Sequence, residues 1–176
     1  MLLFIVGYAG SGKSSLGRRL ARHLGVKFID TDQLIEQMVG ATIADIFYYE
    51  GEDYFRREES NVLRHIYNSL GDAVVATGGG LPTWGDNMAW MKEHGTTLYL
   101  RRSAEQIISR LSDYGRQKRP LFRGKSDEEL LCFMQQHMAE REPYYALADI
   151  EVDCRSMSDE QAVEYIVQHI DCKSDE

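Results

Sequence analysis

The sequence has few cysteines and no long apolar run, and these two shortages exclude several classes of protein. Its three cysteines, Cys132, Cys154 and Cys172, are an odd number without a C-x-x-C pair, which indicates reduced thiols rather than a disulfide framework or a zinc site. No segment approaches the roughly 20 apolar residues that span a bilayer. The short apolar start runs directly into a glycine loop, unlike a signal peptide. We therefore expect a cytoplasmic protein that does not bind membranes.

Positive charge is also scarce. The 176 residues carry 20 Lys and Arg against 28 Asp and Glu, a net charge of −8, which argues against general binding of nucleic acid. Residues 101–125 are the exception, with eight basic residues against Glu105 and Asp113. Such a segment is either a solvated face or, beside a nucleotide site, a means of neutralising phosphate. The length, without repeats or a low-complexity linker, predicts a single domain over residues 1–176.

A glycine-rich loop follows the first apolar run, Leu2–Val6. Residues 7–14 read Gly-Tyr-Ala-Gly-Ser-Gly-Lys-Ser, the G-x-x-x-x-G-K-S pattern of a phosphate-binding loop between a strand and a helix. Its backbone N–H groups and the helix dipole favour a phosphate there. Lys13 can reach the terminal phosphates, and the Ser14 hydroxyl can bind Mg²⁺. A chance glycine turn is the alternative, but the spacing, the Lys-Ser pair and the preceding strand together favour a nucleoside triphosphate site.

Strand-like runs alternate with segments of helical spacing along the chain. Apolar residues spaced three or four apart, such as Leu16, Leu20 and Leu24, predict helices between the runs. This alternation favours a mostly parallel sheet covered on both faces. The predicted strands are Leu2–Val6, Lys27–Ile29, Ala73–Ala76, Thr97–Leu100 and Ile150–Val152. Two segments fit the alternation poorly: a helical insertion that begins at residue 31, and the glycine-containing basic stretch 113–125, which is a candidate lid.

Two carboxylates follow the second predicted strand. Asp30 and Asp32 lie where ligands bind in parallel sheets, outside the carboxyl ends of the strands. One could hold magnesium, and the other could orient and deprotonate an acceptor hydroxyl. The alternative is an ordinary cap of the helix expected at 32–39. The phosphate loop favours a site role for at least one of them.

Other candidate residues suit a small anionic acceptor. Gly78, Gly79 and Gly80 follow the third strand and permit close approach of a ligand. Arg56 and Glu59 share a helix face, either as a surface ion pair or as a pair in which Glu59 holds the guanidinium for a substrate carboxylate.

In combination, the motifs resemble those of shikimate kinase over nearly the whole chain. They are G-x-x-G-x-G-K-S at 7–14, D-T-D at 30–32, G-E-x-x-F-R-x-x-E at 51–59, G-G-G at 78–80, R-P-L at 119–121 and R-x-P-x-Y at 141–145. The resemblance implies a three-layer P-loop kinase fold of the α/β class, with a central parallel five-stranded sheet flanked by helices. It also implies a helical substrate-binding insertion at about 31–60 and a lid at about 113–125.

The resemblance further implies transfer of the γ-phosphate of ATP to the 3-hydroxyl of shikimate, with Mg²⁺ as cofactor. Catalysis would fall to Lys13, Asp32 and Arg119, and the metal would lie at Ser14 and the water shell of Asp30. ATP would contact Gly10, Ser11, Gly12, Lys13, Ser14, Ser15, Arg110 and Arg119. Shikimate would contact Asp32, Arg56, Gly78, Gly79, Gly80 and Arg141.

The contacts to adenine are the least determined part of the resemblance, since the register near Arg155–Met157 is ambiguous. Tyr144 and Tyr145 are interpreted as structural aromatics, and a monomer is expected. Two other functions stay open: a related kinase for gluconate or a nucleoside monophosphate, and a nucleotide-binding protein without catalysis. The acceptor residues favour shikimate kinase over the first, and the presence of Lys13, Asp32 and Arg119 favours it over the second.

Overall fold

The strands form one parallel sheet. A computed structural model describes residues 1–117 and 119–171, and within this part the strand order is β2-β3-β1-β4-β5, with parallel pairing throughout. The strands are β1 (Leu2–Val6), β2 (Lys27–Asp30), β3 (Ala73–Ala76), β4 (Thr96–Arg101) and β5 (Ile150–Asp153). All five predicted strands are confirmed, although β2, β4 and β5 are longer by one or two residues.

Nine α-helices occur in the described part of the chain. They are α1 (Lys13–Leu24), α2 (Thr31–Val39), α3 (Ile43–Tyr49), α4 (Glu52–Ser69), α5 (Asn87–His94), α6 (Ala104–Arg110), α7 (Asp113–Gln117), α8 (Asp127–Tyr145) and α9 (Asp159–Asp171). Helix α8 begins with a capping box, since Ser126 and Glu129 exchange hydrogen bonds. Helix α5 was not expected, because its sequence has no clear apolar spacing. None of the described helices is long and apolar enough to cross a membrane.

The sheet has a hydrophobic core on each face, which confirms the three-layer arrangement. Alternate residues of β1 point to opposite sides, as the two-residue period of a strand requires. Phe4 and Val6 pack with residues of α4 and α8, whereas Leu3 and Ile5 pack with residues of α1 and α9. The site residues that end β1, β2 and β3 therefore meet at one edge of a sheet that is anchored on both faces.

The two irregular segments have structure of their own. Residues 31–69 form α2, α3 and α4 between β2 and β3, so the predicted insertion is helical, and α2 begins one residue earlier than expected. The predicted lid contains α7 and a 3₁₀ helix at Pro120–Phe122. Phe122 is only 1% exposed, so the distal end of this segment is anchored in the core. Lys118 and Cys172 lie outside the described residues.

Candidate active site

A cleft of about 400 Å³ lies at the carboxyl ends of β1, β2 and β3. It brings together most of the residues that the sequence nominates for nucleotide and metal. Its lining includes Gly10, Gly12, Lys13, Ser14, Ser15, Asp30, Asp32, Gly78, Gly79, Arg110 and Arg119. Ser11, Arg56, Gly80 and Arg141 were also predicted as site residues, but they do not line this cleft.

The loop after β1 has the backbone that a phosphate-binding loop requires. Gly7, Gly10 and Gly12 have φ values of 142°, 80° and 96°, which residues with a side chain rarely adopt. A Cβ on Gly7 would also lie 2.7 Å from the carbonyl oxygen of Leu100. Glycine is therefore needed here for both the turn and the close contact with β4.

Lys13 is the buried cation of this loop. It is 7% exposed, and its Nζ donates to the carbonyl oxygens of Gly7 and Tyr8, at 2.8 Å each. Burial lowers the pKa of Lys13 to about 8, and the charge of Asp32 opposes that shift only in part. A bound anion would favour the charged form of Lys13, since an opposite charge nearby stabilises the protonated amine.

Asp30 caps α2 and also contacts the phosphate loop. Its Oδ1 accepts hydrogen bonds from the backbone N–H groups of Asp32 and Gln33, which caps α2. Its Oδ2 accepts from the Ser14 hydroxyl at 2.7 Å. A hydroxyl and a carboxylate oxygen side by side are ligands that Mg²⁺ accepts, together with water and substrate phosphate, so the donor set fits this ion.

Asp32 lies close to a second carboxylate, Glu59 of α4. A Cβ on Gly78 would be 2.8 Å from Oδ1 of Asp32 and 2.9 Å from Oε1 of Glu59, so both side chains reach the same glycine. The N–H of Gly78 is held by Thr31, whose hydroxyl accepts it at 2.9 Å. Burial raises the pKa of Glu59 to about 7, and the charge of Asp32 adds to that rise.

The guanidinium of Arg56 is held by two carboxylates. Its Nη1 donates to Glu59 at 2.7 Å, and its Nη2 donates to Glu52 at 3.0 Å. Glu59 is buried and Glu52 is exposed, so the Glu59 contact is the fixed one. A Cβ on Gly80 would lie 2.9 Å from Cζ of Arg56 and closer still to Nη1. This places Arg56 directly against the triple glycine.

Tyr145 connects α8 to the same glycines. Its hydroxyl donates to the carbonyl oxygen of Gly79 at 2.7 Å, and its ring is buried in the core. Burial raises the pKa of Tyr145 to about 12, whereas the nearby charges of Arg141 and Arg56 act to lower it. The interpretation of Tyr145 as a core aromatic was incomplete, because its hydroxyl also fixes a predicted site residue.

Arg119 projects from the predicted lid into the cleft. Its Nη1 donates to the carbonyl oxygen of Gly115 at 2.8 Å, and its guanidinium lies 6.0 Å from the ring centroid of Phe122. Burial lowers the pKa of Arg119, and the charge of Asp32 acts in the opposite direction. Arg119 and Asp32 therefore give the lining of the cleft two opposite charges.

Three polar residues that the sequence did not nominate contact the phosphate loop or one of the cleft residues. The Tyr8 hydroxyl shares a 2.7 Å hydrogen bond with Nδ1 of His137 on α8. Arg102 donates to the carbonyl oxygen of Ser11 at 2.8 Å, and Asp159 pairs with Arg110. Arg102 directly follows β4. A charged residue at the carboxyl end of a predicted parallel strand was therefore the one signal in the sequence that could have nominated it as a site residue.

Comparisons with known proteins show one family over nearly the whole chain. A sequence model of the family described as shikimate kinase matches residues 9–171. The shikimate kinase of Bacteroides fragilis is 39% identical over 96% of this chain and 93% of the relative. That of Parabacteroides distasonis is 39% identical over 92% of each chain.

Two solved structures have the same fold. The crystal structure of shikimate kinase from Bacteroides thetaiotaomicron has a TM-score of 0.88 and 32% identity, covering 97% of this chain and 98% of that one. Shikimate kinase from Acinetobacter baumannii, solved in complex with shikimate, has a TM-score of 0.85 and 32% identity, covering 98% of this chain and 93% of that one. With its phosphate loop, its five-stranded parallel sheet and these relatives, the chain belongs to the shikimate kinase family.

Proposed function

We propose that this protein transfers the γ-phosphate of ATP to the 3-hydroxyl of shikimate, giving shikimate 3-phosphate and ADP. This reaction is a step on the route to chorismate, from which the aromatic amino acids are made. The observation that supports it most strongly is one cleft that holds a buried Lys13, a carboxylate at Asp32 and a basic residue at Arg119, in a chain of this family. Action as a monomer in the cytoplasm remains a prediction.

The phosphate loop and the lid bind the nucleotide. The backbone N–H groups from Gly10 to Ser15 and the ammonium of Lys13 surround the phosphates. Arg119, which lines the same cleft, reaches the transferring group, where its charge stabilises the negative charge that the transition state spreads over the phosphoryl oxygens. Arg110, which also lines the cleft, would lie near the adenine.

Magnesium is the cofactor in this proposal. The Ser14 hydroxyl would bind it directly, and Asp30 would accept hydrogen bonds from its water shell. When bound, the ion neutralises charge on the β- and γ-phosphates. Because Ser14 and Asp30 share a hydrogen bond of 2.7 Å, the two groups are already side by side for this role.

Asp32 serves the acceptor. It orients the 3-hydroxyl and takes its proton as the oxygen bonds to the γ-phosphorus and the bond to the β,γ-bridging oxygen breaks. Arg56 and Arg141 bind the shikimate carboxylate, for which two converging guanidinium groups are suited. Gly78, Gly79 and Gly80 let the ring approach the backbone closely.

The test is ADP release by the purified protein with Mg-ATP and one acceptor at a time. Shikimate, gluconate and a nucleoside monophosphate are compared with a reaction that has no acceptor. Release that depends on shikimate alone supports the proposal. Release with another acceptor keeps the phosphate loop but overturns the acceptor assignment, and ATP binding without release favours a non-catalytic protein.

A further inference from the structure

A buried arginine connects three separate segments next to the phosphate loop. The side chain of Arg102 is only 4% exposed. Its Nε donates to the carbonyl oxygen of Ser11 at 2.8 Å, its Nη1 to that of Cys154 at 3.4 Å and its Nη2 to Oδ1 of Asp159 at 2.6 Å. A guanidinium that contacts acceptors from a loop, a strand end and a helix start fixes all three relative to one another.

The contact with Ser11 orients a peptide of the phosphate loop. In a planar trans peptide the C=O and the following N–H point in opposite directions. Because Arg102 holds the carbonyl oxygen of Ser11, the N–H of Gly12 points away from Arg102. Gly12 lines the cleft, so the orientation of this N–H affects how the loop receives a phosphate.

Asp159 also connects Arg102 to a residue that lines the cleft, Arg110. Its carboxylate, 12% exposed, also accepts from Nη2 of Arg110, at 3.1 Å to Oδ2 and 3.4 Å to Oδ1. A Cβ on Gly12 would lie 3.8 Å from Nη2 of Arg110 and 4.0 Å from Nε of Arg102. Two guanidinium groups therefore lie beside the loop, and one shared carboxylate offsets their repulsion.

The segment that carries Asp159 is itself fixed. Gln106 of α6 donates to the carbonyl oxygens of Cys154 and Arg155, at 3.2 and 3.3 Å. Ser158 and Gln161 exchange hydrogen bonds at the start of α9. These hydrogen bonds fix the backbone on both sides of Asp159. The carboxylate of Asp159 in turn fixes the guanidinium groups of Arg102 and Arg110.

From these contacts we infer that Asp159 and Arg102 are positioning residues for the nucleotide, acting through Arg110 and the Ser11–Gly12 peptide. This inference rests on the proposed function only in that the cleft binds a nucleoside triphosphate. Neither residue touches the acceptor side, so the pair tunes the affinity for ATP and leaves shikimate binding unchanged.

The test compares Asp159→Asn with a control, Glu151→Gln. Glu151 of β5 pairs with Arg101 at 2.9 Å, so the control also removes a carboxylate–arginine pair but one that reaches neither the loop nor the segment that carries Asp159. We expect Asp159→Asn to raise the KM for ATP about tenfold, the factor that corresponds to about 1.4 kcal/mol. The KM for shikimate should stay within about twofold in both variants.

The inference is overturned if Asp159→Asn only lowers the melting temperature, if it raises both KM values equally, or if the control has the same effect. Should Asp159→Asn not fold, the double variant Arg102→Met with Asp159→Leu removes both charges and leaves an apolar pair, which proteins often tolerate. It should still show the raised KM for ATP, and a normal KM overturns the inference.

A wild-type protein without shikimate-dependent ADP release would refute the proposed function but not this inference. Calorimetric titration with Mg-ATP then takes the place of the kinetic measurement. A dissociation constant about tenfold higher in Asp159→Asn supports the inference, by the same conversion. An unchanged constant overturns it.

Discussion

Replacing Glu59 by glutamine should change how the stability of the protein depends on pH. Glu59 is 1% exposed, and burial raises the pKa of its carboxyl from the ordinary 4.5 to about 7, despite the opposing charge of Arg56. A carboxyl with a raised pKa in the folded state binds its proton more tightly there than in the unfolded chain. Its contribution to stability is thus complete below about pH 4.5 and is lost as the pH rises through 7.

The size of the effect follows from the two pKa values. Each unit of pKa difference corresponds to about 1.4 kcal/mol when the titration is complete. Between about pH 5 and about pH 8 most of that titration takes place, so Glu59 should lower the free energy of unfolding by about 2 to 3 kcal/mol. Glutamine keeps the shape and an acceptor oxygen for Arg56, but it does not titrate.

Urea unfolding of both proteins at the two pH values measures this contribution. Other titrating groups are shared by the two proteins, so they cancel in the difference of the pH effects. Wild type should lose about 2 to 3 kcal/mol more than Glu59→Gln between the two pH values. An equal loss in both proteins would refute the reasoning, because it would show that Glu59 is ionised throughout this range.

Three further substitutions test the acceptor side of the cleft. Asp32→Ala should abolish phosphoryl transfer while ATP still binds in calorimetry, because the proposed base is lost but the loop is intact; near-normal turnover would contradict the role of base. Gly80→Ala should raise the KM for shikimate as strongly as Arg56→Ala does, with little change in the KM for ATP, because the new methyl group displaces the Arg56 guanidinium; equal changes in both KM values would speak for a structural role. Tyr145→Phe should lower the free energy of unfolding by about 1 to 3 kcal/mol, the cost of leaving the Gly79 carbonyl unpaired, and unchanged urea unfolding would count against that hydrogen bond.

The sequence identified the parts of the site that depend on local chemistry. The glycines at positions 7, 10 and 12 predict a loop, and their φ values are ones that few other residues can adopt. Lys13 and Ser14 follow these glycines at the spacing of a phosphate-binding loop. The start of α8 is likewise local, because Ser126 and Glu129 form a capping box within four residues. The positions of β1 and β3 also followed from short apolar runs, because a strand buried on both faces needs no long-range information to be recognised.

Long-range contacts decided the rest. The sequence left a helix cap and a site role as alternatives for Asp30. The fold shows the cap and places the other carboxylate oxygen against the Ser14 hydroxyl, and the metal role stays a prediction. Glu59 lies close to Asp32, and the Tyr145 hydroxyl binds the carbonyl oxygen of Gly79, only because segments that are distant along the chain pack together. The buried Arg102 is the clearest case. Its position after β4 indicated only a carboxyl end of the sheet, whereas its acceptor Ser11 lies 91 positions away, so the sequence did not indicate the contact. Local sequence sets backbone conformation and periodicity, whereas the burial of a charge and the identity of its partners exist only once the sheet and its two helical layers are assembled.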